Sequence, residues 1–485
     1  MAIDALGQAK LVKEGKISSR ELVEESLQKI EQLNPKLNAV INRRSKAALK
    51  EAQNVDITAP FAGVPLLLKG LGQSLAGEPA TAGAQLLKNN RARQTDNFVR
   101  SLQQAGFIII GQTNTPEFGF KNVTDPVLYG PTRNPWNTEY SPGGSSGGAA
   151  SALASGMVTL AAGSDGGGSI RIPASFSGLI GLKPTRGRIP VGPGSWRGWQ
   201  GAAINFALTR SIRDTAALLD ALQVVQPAAP FQTPLFTKGF LHESTLPLAN
   251  NFRIGYTTTS PVGTPVSPDA KNAVMEAVAF LRQEGIAVKK VKNPLDGQKL
   301  MRGYYIINAG ETASMFAEME SSSGKEIKIS DVELVTWVIH QAGLSLDAVD
   351  YSQTLSQWDQ ASYEADKMYD DYNLYLTPTT ATTAPKINQA LISAELIAKM
   401  KKATQLDKKE RLQLVYDFFE SSLELTPFTQ QANITGQPAI SLPTYVSHEG
   451  LPLGIQFIAR KGAESTLLQI GNLFEKNGKF KMLRK

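Results

Sequence analysis

The sequence predicts an α/β fold: a single large domain with a mixed, twisted central sheet covered by helices on both faces and interrupted by a helical excursion. Three observations lead there. Short apolar runs at residues 64–68 and 107–110, each bounded by Gly or Pro, read as buried strands set between stretches of helical periodicity. Strand-like runs return only near the C-terminus, after a long helical stretch, so the two outer parts of the chain are expected to share one sheet. At 485 residues, 42% of them hydrophobic and 19% charged, the chain can bury a large core.

The elements follow in order. Ser18 with Glu21 three residues later forms a capping box, and Leu22, Val23, Leu27 and Ile30 then recur at helical spacing. From 143 to 201 glycine is dense but interleaved with Ala, Leu, Ile and Val, the texture of packed backbone rather than of a linker. This is the centre of a core spanning about 63–220. From about 227 to 371 longer helical patterns dominate, for example 269–284, with more charge and most of the tyrosines. Residues 372–485 complete the sheet through strands at 374–376, 440–442 and 453–458 and a last amphipathic helix near 464–476. No 20- to 50-residue period repeats, so residues 1–485 are read as one domain rather than a solenoid.

Composition removes several functions. Fifty Lys+Arg against 43 Asp+Glu leave a net +7, scattered without basic runs, so no nucleic-acid partner is expected. The absence of cysteine excludes disulfides, thiolate metal sites and Cys nucleophiles. The opening Met1-Ala2-Ile3-Asp4 lacks a basic stretch and apolar core, and the weakly apolar segment 152–163 is too short and Gly/Ser-broken to span a bilayer. A cytoplasmic protein that does not enter membranes is expected. The three histidines, His242, His340 and His448, lie in helical or polar loop contexts and are expected at the surface, which disfavours a Ser-His-Asp triad. No cluster of ligands has metal spacing, so no metal is expected. Gly143-Gly144-Ser145-Ser146-Gly147-Gly148 lacks the Lys-Ser/Thr ending of a phosphate-binding loop, leaving nucleotide binding a lesser alternative and no cofactor implied.

What remains is hydroxyl and amine chemistry. Two serine-bearing glycine clusters lie close in sequence, Ser141 to Gly148 and Gly163-Ser164-Asp165-Gly166-Gly167-Gly168-Ser169-Ile170-Arg171. The small residues before Ser169 can form a nest of backbone N–H groups, as an oxyanion hole requires. With histidine disfavoured, a lysine is the natural base, and Lys69, closing the run Val64-Pro65-Leu66-Leu67-Leu68, would be carried to a sheet edge. To be half neutral at pH 7 it must drop about three pKa units, roughly 4 kcal/mol, which only near-complete burial supplies. The alternative is a strand-end lysine whose stem snorkels to water.

Together these segments closely resemble the amidase signature family. The resemblance covers Gly63-Val64-Pro65 through Lys69, Tyr129-Gly130-Pro131-Thr132-Arg133-Asn134-Pro135-Trp136, and Gly143 to about Arg188. It continues more weakly through Leu376-Thr377-Pro378-Thr379, Gly436-Gln437-Pro438-Ala439-Ile440 and Pro452-Leu453-Gly454-Ile455-Gln456. It implies an amidohydrolase acting on linear amides through an acyl-enzyme, with Ser169 as nucleophile, Ser145 as bridging serine after a cis peptide bond with Gly144, and Lys69 as base. It further implies an oxyanion hole at Gly166, Gly167 and Gly168, with Ser146, Asp165 and Arg171 ordering the two serine loops. The chain departs from the family pattern at Gly70, where the residue after the lysine is commonly Asp.

Within the family, the A subunit of the tRNA-dependent amidotransferase is the main alternative. Its Phe-Asp-Gly-x-Arg-Tyr-Gly-type segment is missing, and Arg302-Gly303-Tyr304-Tyr305-Ile306-Ile307-Asn308 stands in the excursion instead. The chain is therefore more similar to stand-alone amidases and nylon-oligomer hydrolases. Trp196 and Trp199, in the loop Gly194-Ser195-Trp196-Arg197-Gly198-Trp199, are candidate walls of the acyl pocket. The expected partner is a small-molecule amide, with a homodimer as a further expectation. A non-catalytic binding protein on the same fold is the alternative of a different class.

Overall fold

The computed structural model describes residues 3–483; Met1 and Ala2 of the opening segment lie outside the described residues. Eleven strands form one sheet, in the order β1-β3-β2-β4-β6-β5-β10-β11-β9-β7-β8. In chain order they are β1 (Val40–Arg43), β2 (Pro65–Lys69), β3 (Ile108–Thr113), β4 (Ala161–Asp165), β5 (Ile180–Lys183), β6 (Ile204–Thr209), β7 (Arg253–Tyr256), β8 (Ala287–Lys290), β9 (Leu374–Pro378), β10 (Ala439–Val446) and β11 (Pro452–Ala459).

The sheet is mixed. β2 runs parallel to β3 and β4, and β7 parallel to β8 and β9, while β10 and β11 form the antiparallel centre. All five residues of β2 and all eight of β11 are buried, which requires cover on both faces. Along β11, Leu453, Ile455, Phe457 and Ala459 join the main core while Ile458 packs into a separate cluster with Tyr375 and Ala432.

The predicted capping box is present. Ser18 Oγ accepts from Glu21 N–H, Glu21 returns a bond to Ser18 N–H, and helix Ser19–Leu37 follows. The strands expected from both outer parts of the chain join the one sheet, and the last helix spans Glu464–Lys476. The region read as a helical excursion contains the long helices Pro268–Gln283, Gly297–Ser323 and Ala348–Asp371, but it also contributes β7 and β8 to the sheet edge. β8, largely exposed and ending in two lysines, lacks the apolar pattern that marks an inner strand.

His340 corrects a second expectation. It is buried in helix Leu334–Leu344, its ring centroid 4.6 Å from Phe316 and 5.7 Å from Trp337, and burial lowers its pKa. His242 and His448 are exposed. No helix among the described residues is long and apolar enough to cross a membrane.

Candidate active site

Because β2 and β4 are parallel neighbours paired at Leu67 and Ala161, their C-terminal ends, Lys69 and Asp165, reach the same edge of the sheet. The apolar residues of β2 bury Lys69 to 1% exposure. Its backbone N–H donates to Gln73 Oε1 (2.7 Å), and Gln73 Nε2 donates to the Gly163 carbonyl (2.8 Å), tying the two strand ends together. The Lys69 ammonium therefore does not snorkel. Nζ lies 2.7 Å from Ser145 Oγ and 2.9 Å from Ser164 Oγ. Burial lowers its pKa to about 7, against a smaller opposing pull from Asp165.

Ser145 follows a cis peptide bond with Gly144. A Cβ at Gly144 would stand 2.8 Å from the backbone of Val123, so only glycine permits this approach. Ser146 ties the two serine loops together. Its Oγ donates to the Ser164 carbonyl and accepts from Ser164 N–H, both at 3.2 Å, and its N–H donates to the Ser169 carbonyl (3.2 Å).

Asp165 and Arg171 are fully buried and joined by two bonds of 2.9 Å, from Nε to Oδ2 and from Nη2 to Oδ1. The Asp165 carboxylate also accepts from the N–H groups of Gly168, Ile170 and Arg171 and from Asn433 Nδ2. Burial alone would raise its pKa, but Arg171 and these donors hold it well below the usual carboxylate range. Arg171 in turn donates to the Thr429 carbonyl (2.8 Å) and Gln456 Oε1 (2.6 Å), fastening the loop to distant parts of the chain.

The nest before Ser169 differs from expectation at one position. Gly168 has φ +125°, a conformation open to glycine, and its N–H is already given to Asp165 Oδ1 (2.7 Å). It serves the loop rather than facing an oxyanion. The N–H groups of Gly166, Gly167 and Ser169 have no acceptor among the described residues. Nor does a hydrogen bond join Ser169 Oγ to Ser145 Oγ there; Ser169 is partly exposed, facing a cavity of about 60 Å³.

Trp199 lines that cavity, its ring stacked parallel to Phe120 (6.1 Å between centroids) and edge-on to Tyr304 (6.0 Å). Trp196 does not line it. Left-handed backbone at Trp199 and Gln200 swings Trp199 over Gly166, whereas the Trp196 ring folds back on Gly192 and borders a separate small cavity with Ile189 and Phe231. At Gly70 a Cβ would come within 2.9 Å of the Thr113 carbonyl, so an aspartate has no room there.

Sequence reasoning missed Ser164, Gln73, Thr429, Asn433 and three carboxamides among the cavity-lining residues, Asn122, Asn308 and Gln430. Ser164 lies inside the second glycine cluster, and the local signal for it was its place beside Asp165. Thr429 and Asn433 reach Asp165 and Gly167 from more than 260 residues away and carry no local signal.

A family model described as Amidase matches residues 21–468. The chain is 47% identical to a lipoamidase from Enterococcus faecalis over 98% of its own length, but it spans only 63% of that protein. It is 33% identical to the 6-aminohexanoate-cyclic-dimer hydrolase of Paenarthrobacter ureafaciens, covering 97% of this chain and 94% of the other. A solved structure of 6-aminohexanoate cyclic dimer hydrolase complexed with substrate superposes with a TM-score of 0.88, at 33% identity, over 97% of this chain and 96% of that one.

Proposed function

The chain belongs to the amidase family, and from that premise we propose that it hydrolyses a carboxylic amide through an acyl-enzyme on Ser169. The observation that carries the reading is the contact of Lys69 Nζ with Ser145 Oγ at 2.7 Å in a fully buried setting that keeps the amine half neutral near pH 7. Neutral Lys69 takes the Ser145 proton as Ser145 takes that of Ser169, whose Oγ turns toward Ser145 and attacks the amide carbon. The new C–O bond places negative charge on the carbonyl oxygen, and the N–H groups of Gly166, Gly167 and Ser169, which have no acceptor among the described residues, would receive it.

As the tetrahedral centre collapses, the C–N bond breaks and Ser145 delivers a proton to the departing nitrogen, recovering one from Lys69. Water then repeats the sequence on the ester. Asp165 and Arg171 touch no reacting atom in this scheme; they hold the Gly166–Ser169 turn in shape.

The cavity walls Phe120, Trp199, Met301, Phe419 and Leu423 favour an apolar acyl chain. Likeness to the lipoamidase makes a linear lipoyl amide the first substrate to test, with 6-aminohexanoate cyclic dimer second. The test has two parts. A fluorophosphonate should label Ser169 in the wild type and not in Ser169→Ala, read by peptide mass spectrometry, and the labelled enzyme should lose amide hydrolysis. Labelling at another serine, or hydrolysis that survives in Ser169→Ala, would overturn the assignment.

A further inference from the structure

Four successive carbonyls lead through the turn that ends at Ser169, and each is met by a donor from outside it. The Asp165 carbonyl accepts from Asn433 Nδ2 (2.9 Å), that of Gly166 from the Tyr304 hydroxyl (3.2 Å), that of Gly167 from Thr429 Oγ1 (2.6 Å) and that of Gly168 from the Ile172 N–H (2.6 Å). The peptide bonds here are trans, the cis bonds of the described residues lying at Gly144-Ser145 and Gly192-Pro193. In a planar trans peptide the C=O and the N–H point opposite ways, so holding one fixes the other. The four donors therefore decide where the N–H groups of Gly166, Gly167, Gly168 and Ser169 stand.

Two of these peptides are held differently. The one between Gly167 and Gly168 is fastened at both ends, since Thr429 donates to its carbonyl and its N–H goes to Asp165 Oδ1 (2.7 Å). The one between Gly166 and Gly167 is fastened at its carbonyl alone, because the Gly167 N–H has no acceptor among the described residues. Its anchor, Tyr304, comes from helix Gly297–Ser323 and is the one of the three side-chain donors that also lines the cavity facing Ser169. The anchor is itself closely set. A Cβ at Gly167 would stand 2.6 Å from the Tyr304 oxygen and a Cβ at Gly166 2.7 Å from the Trp199 ring, so two consecutive glycines let these two edge-on aromatic rings close on the peptide between them. Burial, with the Asp165 carboxylate nearby, pushes the Tyr304 phenol far above its ordinary pKa, so it keeps its proton and remains a donor.

We propose that Tyr304 is a positioning residue of the oxyanion hole: its hydroxyl holds the Gly166–Gly167 peptide so that the Gly167 N–H stays available to the charged oxygen, and it touches no reacting atom itself. The inference rests on the amidase reading of Ser169. A donor fixed before the reaction stabilises developing charge without having to be reoriented first, and that advantage is lost if the peptide is free to rotate. Losing the anchor therefore weakens the transition state and leaves substrate binding as it was.

The test compares the full-length wild type with Tyr304→Phe, which keeps the ring against Trp199 and removes the hydroxyl, and with Thr429→Val. A fluorophosphonate reads the effect directly: as the Oγ–P bond forms and fluoride leaves, negative charge gathers on the phosphoryl oxygen, as it does on the carbonyl oxygen of an amide. Tyr304→Phe should lower the rate constant of labelling, and kcat for a lipoyl amide, by roughly five- to tenfold, the weight of one hydrogen bond. KM should stay within about twofold, the pH midpoint near 7 should not move because Lys69 is untouched, and all of the protein should still be labelled at completion. Thr429→Val should cost less, about two- to threefold, because Asp165 still holds that peptide. Four results would each overturn the assignment: unchanged rates; a raised KM with kcat intact, which would make the hydroxyl a substrate contact; a labelled fraction that falls in step with the rate, which would make it a folding contact; and equal losses in both variants, which would mean a general loosening of the turn. The amidase reading fails separately, if labelling and turnover survive in Ser169→Ala.

Discussion

The two sides of the cavity are built on opposite principles. On the side of β2 and β4, the ionic pair is saturated: the Asp165 carboxylate takes N–H groups from three backbone positions, from Arg171 and from Asn433. On the side of helices Gly297–Ser323 and Gln430–Thr435, the side-chain oxygens of Asn308 and Gln430 have no partner among the described residues. The ionic pair is complete when the chain folds, so in the proposed scheme the N–H donors and the base stand in place before substrate arrives, and Ser169 Oγ is the group that has to turn. The second side leaves polar atoms buried without a partner, at a cost of about 1 to 3 kcal/mol each. The ionic network is closed at the strand ends, and polar groups stay unpaired in the helices.

The largest effect expected from this contrast falls on Lys69. Lys69→Met and Ser169→Ala should each lower kcat/KM on the order of 10⁴-fold or more, because in the proposed scheme base and nucleophile act as one unit. In the wild type, kcat/KM should rise with pH through about 7 and level off above, as Lys69 becomes neutral. The same burial has a thermodynamic sign. Lys69 binds its proton less tightly in the folded state, near 7, than at its ordinary value of 10.5, so between these values the unfolded chain carries the extra proton. Stability from this group therefore increases as pH rises from about 7 to 10.5, and at or below pH 7 its burial costs roughly 5 kcal/mol. Lys69→Met should be inactive yet more stable than wild type at pH 7 in urea denaturation, with the gap closing toward pH 10. A variant less stable at pH 7 would mean that the lysine is held by its partners rather than against them.

Asp165 and Arg171 should behave in the opposite sense. The pair is fully buried, so Arg171→Leu leaves a carboxylate without its counter-ion and should destabilise by about 3 to 5 kcal/mol. The contribution of Asp165 is present above the ordinary carboxylate range and is lost only as pH falls through its depressed folded value. Stability between pH 5 and 7 should consequently carry no signature of this group. A wild-type transition in that window that vanishes in Asp165→Asn would contradict the saturated arrangement.

This asymmetry also decided what could be read in the sequence. Lys69 was legible because a strand of five buried residues is a local pattern, and the two serine clusters because each is contiguous. Gly168 was legible as a nest residue but not in its role, since that depends on where the Asp165 carboxylate turns. Gln430 and Asn433 sit on a short helix, and Thr429 just before it, with no periodic or compositional mark, and only tertiary packing brings them to the site. β7 and β8 escaped for a related reason: four-residue edge strands, one largely exposed, carry too few apolar positions to stand out against the helices around them.

Gly70 offers a smaller test of how closely the strand-end side is packed. Where the family pattern commonly has aspartate, the Thr113 carbonyl and the Ile41 side chain lie about 2.9 and 3.0 Å from any added Cβ. Gly70→Asp should cost roughly 1 to 3 kcal/mol through overpacking, read as a lower urea midpoint. An unchanged midpoint would show that this edge yields more readily than its burial implies.

The two tryptophans give the smallest and most discriminating effect. They are three residues apart in one loop, and nothing local distinguishes them, yet only Trp199 lies over Gly166 and against Phe120 and Tyr304 in the cavity. Trp199→Leu should raise KM for an apolar acyl amide by a few fold, on the order of 1 kcal/mol for a lost aromatic wall. Trp196→Leu should leave KM unchanged and act, if at all, through stability, because its ring rests on Gly192 in the neighbouring cavity. Equal KM effects from both would mean that the loop moves as a unit over the bound acyl chain, and the contrast between the saturated strand ends and the helix side would then have to include a wall that closes on substrate.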